Sequence, residues 1–157
     1  MNFDFDIKKK RVKIMLVALI GIICYAFLPY ISVEAMGVSE SRNFLSGDLF
    51  FKDGFVFCSL VGVVCLAAFI GIIATAYMKK TNENLLCCLG GGVAGVVSLI
   101  ATLITCGSVE SEAASAAKQF GVGFNVSVGC GIGFWIGIIA LIACAAMAFL
   151  LPEDSNQ

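Results

Sequence analysis

Eight cysteines and no histidine limit the chemistry open to this chain of 157 residues. A zinc site built on cysteine needs paired spacing such as C-x2-C. Here Cys87 and Cys88 are adjacent and no such pair accompanies them. Without His the chain lacks the commonest general base and the commonest metal ligand together. Cys24, Cys58, Cys65 and Cys144 fall inside apolar runs, where a free thiol packs as a small apolar side chain. Cys106 and Cys130 flank one connection and form a candidate disulfide pair, provided that side faces an oxidising compartment. Lipid attachment at Cys87 and Cys88 would need a cell with that machinery.

Other reaction signatures are missing. Gly90-Gly91-Gly92 resembles a phosphate-cradling turn, but no Lys follows it and it lies in an apolar run. Neither H-E-x-x-H nor a nucleophile elbow occurs. Proton and ion pathways are marked by charged residues deep in the membrane, each costing several kcal/mol, and this chain has none there. Ser59, Thr75, Ser98, Thr102 and Thr105 are the polar residues available, and each can bond to a carbonyl of its own helix. The expectation is no catalytic, cofactor-binding or metal-binding residue. A passive pore formed by several copies stays open.

Glycine is the more informative residue. Gly129, Gly133 and Gly137 recur every four residues, and so do Gly91 and Gly95. On a helix that spacing forms one face, where a second backbone can come close. Both stripes are expected to be helix-packing faces, within the bundle or between molecules. A Gly133→Leu change should separate the helices, and Gly133→Ala should be mild.

The elements positioning these residues are long apolar runs. Sixty per cent of the chain is apolar and 13% is charged, about half the charge a soluble domain needs to cover itself. Four runs are long enough to cross a bilayer as helices, approximately 12–33, 55–78, 85–106 and 126–151. Only Lys13, at an edge, carries a charge, and none alternates as a barrel strand must. The predicted fold is therefore an all-α membrane protein, a single four-helix transmembrane bundle.

Lys8, Lys9, Lys10, Arg11 and Lys13 open the first run, and Lys79 and Lys80 sit in the second connection. Seven of the ten basic residues thus fall on one side. The positive-inside rule makes that side cytoplasmic, with both termini there. The net charge of −1 and the absence of a basic stripe point away from nucleic acid. Lipid is the expected partner, with other membrane proteins or further copies of the chain. Val33-Glu34-Ala35 also fits a signal-peptide cleavage site, which would leave three spans. The preceding apolar stretch, about 20 residues, is longer than the usual signal core.

Lys79 to Asn84 reads as a tight turn joining antiparallel neighbours. In the first outer loop, alternation around Ile31, Val33, Ala35 and Val38 suggests a small β-hairpin. In the second, Ser108 can cap a short helix through Lys118, ended by Gly121 and Gly123. Tyr30 and Tyr77 read as interfacial aromatics, joined by Phe50, Phe51, Phe55, Phe57, Phe120 and Phe124.

Phe27-Leu28-Pro29-Tyr30-Ile31-Ser32-Val33, Met36-Gly37-Val38-Ser39-Glu40-Ser41, Leu45-Ser46-Gly47-Asp48 and Gly131-Ile132-Gly133-Phe134-Trp135 carry a resemblance. Together they resemble a loose group of small four-span membrane proteins common in Gram-positive bacteria. Some members carry a zinc ribbon before the first span; no cysteine precedes Cys24 here, so that module has no counterpart. The resemblance implies a bacterial plasma membrane and no activity. On this reading the chain is a non-enzymatic membrane protein, an accessory, sensor or envelope-associated component acting through partners. Its rival is a small oligomeric transporter or channel.

Overall fold

Pro29 is where the first apolar run stops being a helix. Helix α1 spans Lys10–Phe27, and its last turn closes with the Leu28 N–H donating to Cys24 O. Proline offers no N–H to continue the ladder and drives the preceding residue into extended conformation, as Leu28 shows at φ −81°, ψ 163°. The chain runs on into strand β1, Pro29–Ala35, and returns as β2, Val38–Asn43. Gly37, at φ +79°, supplies the left-handed turn residue between them. A 3-10 turn at Phe44–Ser46 follows. Then come α2, Val56–Tyr77; α3, Thr81–Gln119; β3, Val126–Cys130; and α4, Ile132–Leu150. This computed structural model describes residues 9–35, 37–46, 56–119 and 126–151. Lys8, Gly121, Gly123 and the side chains of the six loop phenylalanines lie outside them.

The four helices form an up-down-up-down ring, each antiparallel to its neighbours. α1 and α4 pack along their whole length. Lys10 Nζ donates to Ala148 O and Leu151 O (2.6 and 2.8 Å) at one end. Cys144 Sγ meets Ile14 O at 3.7 Å further along, and Gly133 lies against Cys24 and Leu28 at the far end. α2 and α3 run side by side from the turn at residues 78–80, through Gly91 beside Ala68 and Ile72, to Cys58 beside Thr102. Gly95 and Gly91 of α3 both face Leu141 of α4. Phe69, Ile72, Phe134 and Leu141 fill the interior, all fully buried.

A three-stranded antiparallel sheet, ordered β2-β1-β3, sits on one end of this ring. The hairpin was expected; the third strand was not. β3 pairs with β1 from Ile31↔Cys130 to Ala35↔Val126, so the first and fourth apolar runs each give up one end to the sheet. The expected spans 12–33 and 126–151 become helices at Lys10–Phe27 and Ile132–Leu150, and the all-α description gains a small sheet.

Nor does a separate short helix begin at Ser108. α3 continues unbroken for 39 residues, about 58 Å at 1.5 Å per residue, roughly twice what a bilayer core requires. The distal part turns Val109, Ala113 and Ala117 inward while Glu110, Glu112, Ser115 and Lys118 stay exposed.

Residues Cys58–Tyr77, α3 and α4 are each long and apolar enough to cross a membrane, with mean hydropathies of 2.5, 2.1 and 2.4. At most 44% of any such window is buried in the bundle, so Ile70, Val93 and Ile139 face outward. α1 has 18 residues but carries Lys10, Arg11 and Lys13 among them.

Candidate functional site

The sheet closes over a buried polar knot. Tyr25, in the last turns of α1, donates its hydroxyl to Tyr30 Oη at 3.3 Å. The Tyr30 hydroxyl also meets Thr102 Oγ1 of α3 at 3.5 Å and Cys58 Sγ of α2 at 3.6 Å, and those two are 3.2 Å apart. Ser98 and Cys65 lie beside Tyr25, and the buried Ser98 Oγ has no hydrogen-bond partner among the described residues. Tyr30 is 1% exposed, which overturns its expected place at the bilayer interface; exposed Tyr77 is on the surface. Pro29 causes the difference, because the strand it starts folds back across the bundle mouth.

Phe44, in the 3-10 turn after β2, plugs the same end. Its ring stands 5.0 Å from Tyr30 and 5.5 Å from Tyr25, and it rests on Gly62 of α2. Phe134 of α4 meets Tyr30 edge-on at 5.3 Å. Edge-to-face rings at these distances add about 0.5–1.5 kcal/mol per pair beyond burial. β1 and the turn after β2 are thus fixed to all four helices. Thr75 and Thr105 bond back to Gly71 O and Ala101 O of their own helices, as expected, whereas Thr102 is used between elements.

Four of the five predicted packing glycines lie at helix seams. A Cβ on Gly91 would touch Ile72 and Leu141, and one on Gly95 would touch Leu141 at ordinary distance. A Cβ on Gly133 would meet Cys24 O at 2.7 Å and Leu28 O at 2.8 Å, and one on Gly137 would run into the Tyr25 ring. Gly129 differs. It belongs to β3, opposite Ser32 of β1, so the expected three-glycine helix face is a two-glycine face. Because Gly133 is closed off by backbone carbonyls, Ala is no mild replacement there.

Cys106 and Cys130 are brought together by β3 packing on α3. Both are free thiols, and they lie beside each other.

The basic residues gather at the other end. Lys10, Arg11, Lys79 and Lys80 line one cavity where the start of α1, the α2–α3 turn and the end of α4 meet. Lys13 of α1 is exposed and Lys9 lies just before that helix, half-buried. The α2–α3 turn is a Schellman ending, with Lys79 N–H donating to Ala76 O and Lys80 N–H to Thr75 O. Lys79 takes the position glycine prefers, at φ 59°, a conformation costing a non-glycine residue about 1 kcal/mol. Among the described residues no group of three or more His, Cys, Asp or Glu could hold a metal ion.

Comparison with known proteins finds no match among family models, curated proteins or solved structures.

Proposed function

We propose that the chain is a four-span protein of a bacterial plasma membrane that works by binding a protein partner through the sheet at its outer end. The observation that carries this reading is the exposure of β2, the outer strand of the sheet. Five of its six residues are exposed, β1 is its only neighbour among the described strands, and the rigid knot beneath holds the sheet in place. A strand edge presents unpaired N–H and C=O groups, and adding a partner strand is a common way to use them. Glu40 and Arg42 on that edge pair with each other. Such charges also discourage indiscriminate pairing, which suits a selective contact. The exposed side of distal α3 stands beside the sheet and widens the surface.

Support for four spans comes from α1. It is antiparallel to α4 from Lys10–Leu151 at one end to Leu28–Gly133 at the other. A helix paired along its length with one that crosses the bilayer crosses too, and its three basic residues then lie at the headgroups where they can snorkel. Six basic residues described at that end, Lys9, Lys10, Arg11, Lys13, Lys79 and Lys80, support a cytoplasmic side there and the sheet outside. The resemblance to small Gram-positive four-span proteins supports a bacterial plasma membrane.

Photo-crosslinking groups at Ser39 and Ser41, in native membranes, test the binding. A discrete protein adduct from both positions, and only lipid adducts from outward-facing Val93, is the expected result. Absence of a protein adduct from β2, with solute flux from reconstituted vesicles, would replace this reading by an oligomeric channel.

A further inference from the structure

The cavity at the basic end has a volume of about 490 Å³, within the range of small-molecule sites. It is framed by three chain segments that meet only in the folded bundle: the first turn of α1, the α2–α3 turn and the end of α4. Four cationic side chains line it, and none of its described lining residues is acidic. Their duties differ. Lys10 caps α4 through Ala148 O and Leu151 O. Lys80 is paired with Glu83 at 2.8 Å. Arg11 and Lys79 have no ion-pair partner among the described residues. Thr81, Asn82 and Asn84 of the first turn of α3 line the same cavity, at the helix end that carries partial positive charge. Buried Asn84, whose Oδ1 accepts the Cys88 thiol, contributes a further amide to the wall.

An anion alone would need only the basic part. Apolar side chains also line the cavity, among them Ile14, Leu85 and Phe149, and Phe149 is 64% exposed. A cationic rim joined to an apolar lip, at headgroup level between helices, fits an amphiphile with a phosphate at one end. We propose that this cavity binds the phosphate of an acidic phospholipid of the inner leaflet. Arg11 and Lys79 hold the phosphate oxygens, Arg11 through its planar fork, and the Phe149 lip receives the start of an acyl chain. This rests on the spanning reading above but not on the outer partner.

The test uses the full chain in neutral detergent and follows its thermal unfolding with added phosphatidylglycerol, phosphatidylcholine or inorganic phosphate. Phosphatidylglycerol should raise the midpoint, and the other two should not at equal concentration. Arg11→Gln with Lys79→Gly should weaken the phosphatidylglycerol response roughly 25-fold, about fivefold for each basic group removed. Glycine suits the left-handed position at 79, so Lys79→Gly alone keeps the lipid-free midpoint and still loses about fivefold. Lys13→Gln removes one charge from α1 outside the cavity and should leave the response unchanged. An equal response to phosphatidylcholine, or an equal loss from Lys13→Gln, would reduce the effect to general attraction and overturn the site. A midpoint raised as much by inorganic phosphate would make it a free-phosphate site and overturn the lipid assignment. Neither result would alter which side of the membrane a labelled position occupies, so the spanning reading is judged separately.

Discussion

Replacing Gly133 by alanine adds one methyl group where two backbone carbonyls already stand. The new Cβ would lie 2.7 Å from Cys24 O, 2.8 Å from Leu28 O and 2.8 Å from Leu28 Cβ. Ordinary contacts begin near 3.4 Å, so α1 and α4 must part by roughly half an ångström at that end. The Cys24 carbonyl cannot swing aside, since it holds the Leu28 N–H that closes α1. Overpacking of this kind costs about 1–3 kcal/mol. The helix-propensity gain of alanine over glycine, at most about 1 kcal/mol, is reduced because Gly133 sits in the first turn of α4. A net loss of about 1–2 kcal/mol is expected. Gly107→Ala is the matched control: it lies in α3 with nothing within 4 Å of its added Cβ, so it should hold or gain up to about 1 kcal/mol. Both variants are compared with the parent by reversible unfolding in detergent. Gly133→Ala at or above the stability of the parent would refute the close seam between α1 and α4.

Three further outcomes are expected. Gly37→Ala keeps its space but not its conformation, since φ is +79° with nothing within 4 Å; hairpin protection in hydrogen exchange should fall by about 1 kcal/mol, and unchanged protection would contradict the turn. Tyr30→Phe deprives the Tyr25 hydroxyl of its acceptor while Cys58 and Thr102 keep each other. It should cost about 1–2 kcal/mol in thermal unfolding, and a neutral result would show that the knot does not hold the sheet. Treatment with a diazene oxidant, which takes up the two thiol hydrogens, should join Cys106 to Cys130 before other pairs. Peptide mapping that finds only Cys87–Cys88 or intermolecular links would contradict the contact between α3 and β3.

Hydropathy located the four helices because lipid-facing and core-facing residues are both apolar, and for the same reason it missed where two of them end. Val126-Ser127-Val128-Gly129-Cys130 alternates with period two, a strand signal hidden inside a longer apolar run. Pro29 was the local sign that the first helix stops at Leu28, and it outweighs the apolar residues after it. The Ser108 cap signal misled because α3 tolerates Gly107 at about 1 kcal/mol and continues through a stretch rich in good helix formers. Among the glycines, spacing of four identified Gly91, Gly95, Gly133 and Gly137, but it could not separate helical Gly133 from Gly129 in the strand. The Tyr30–Cys58–Thr102 knot joins residues up to 72 positions apart, and no local pattern announces it. The basic cavity is half legible: the sequence shows the charges, as orientation signals, while their convergence depends on how the helix ends meet.

The central claim is that α1 crosses the bilayer beside α4, leaving the sheet outside and the basic end inside. Single cysteines at Ser41, Ser115 and Asn82, in an otherwise cysteine-free chain, test it most directly with a membrane-impermeant thiol reagent on intact cells. All three positions are exposed in the bundle, so labelling reports the side of the membrane and not burial. Positions 41 and 115 should label and position 82 should label only after the membrane is opened. Labelling of 82 alone in intact cells would reverse the orientation, and labelling in intact cells of a further single cysteine at Asn2, ahead of α1, would take α1 out of the membrane.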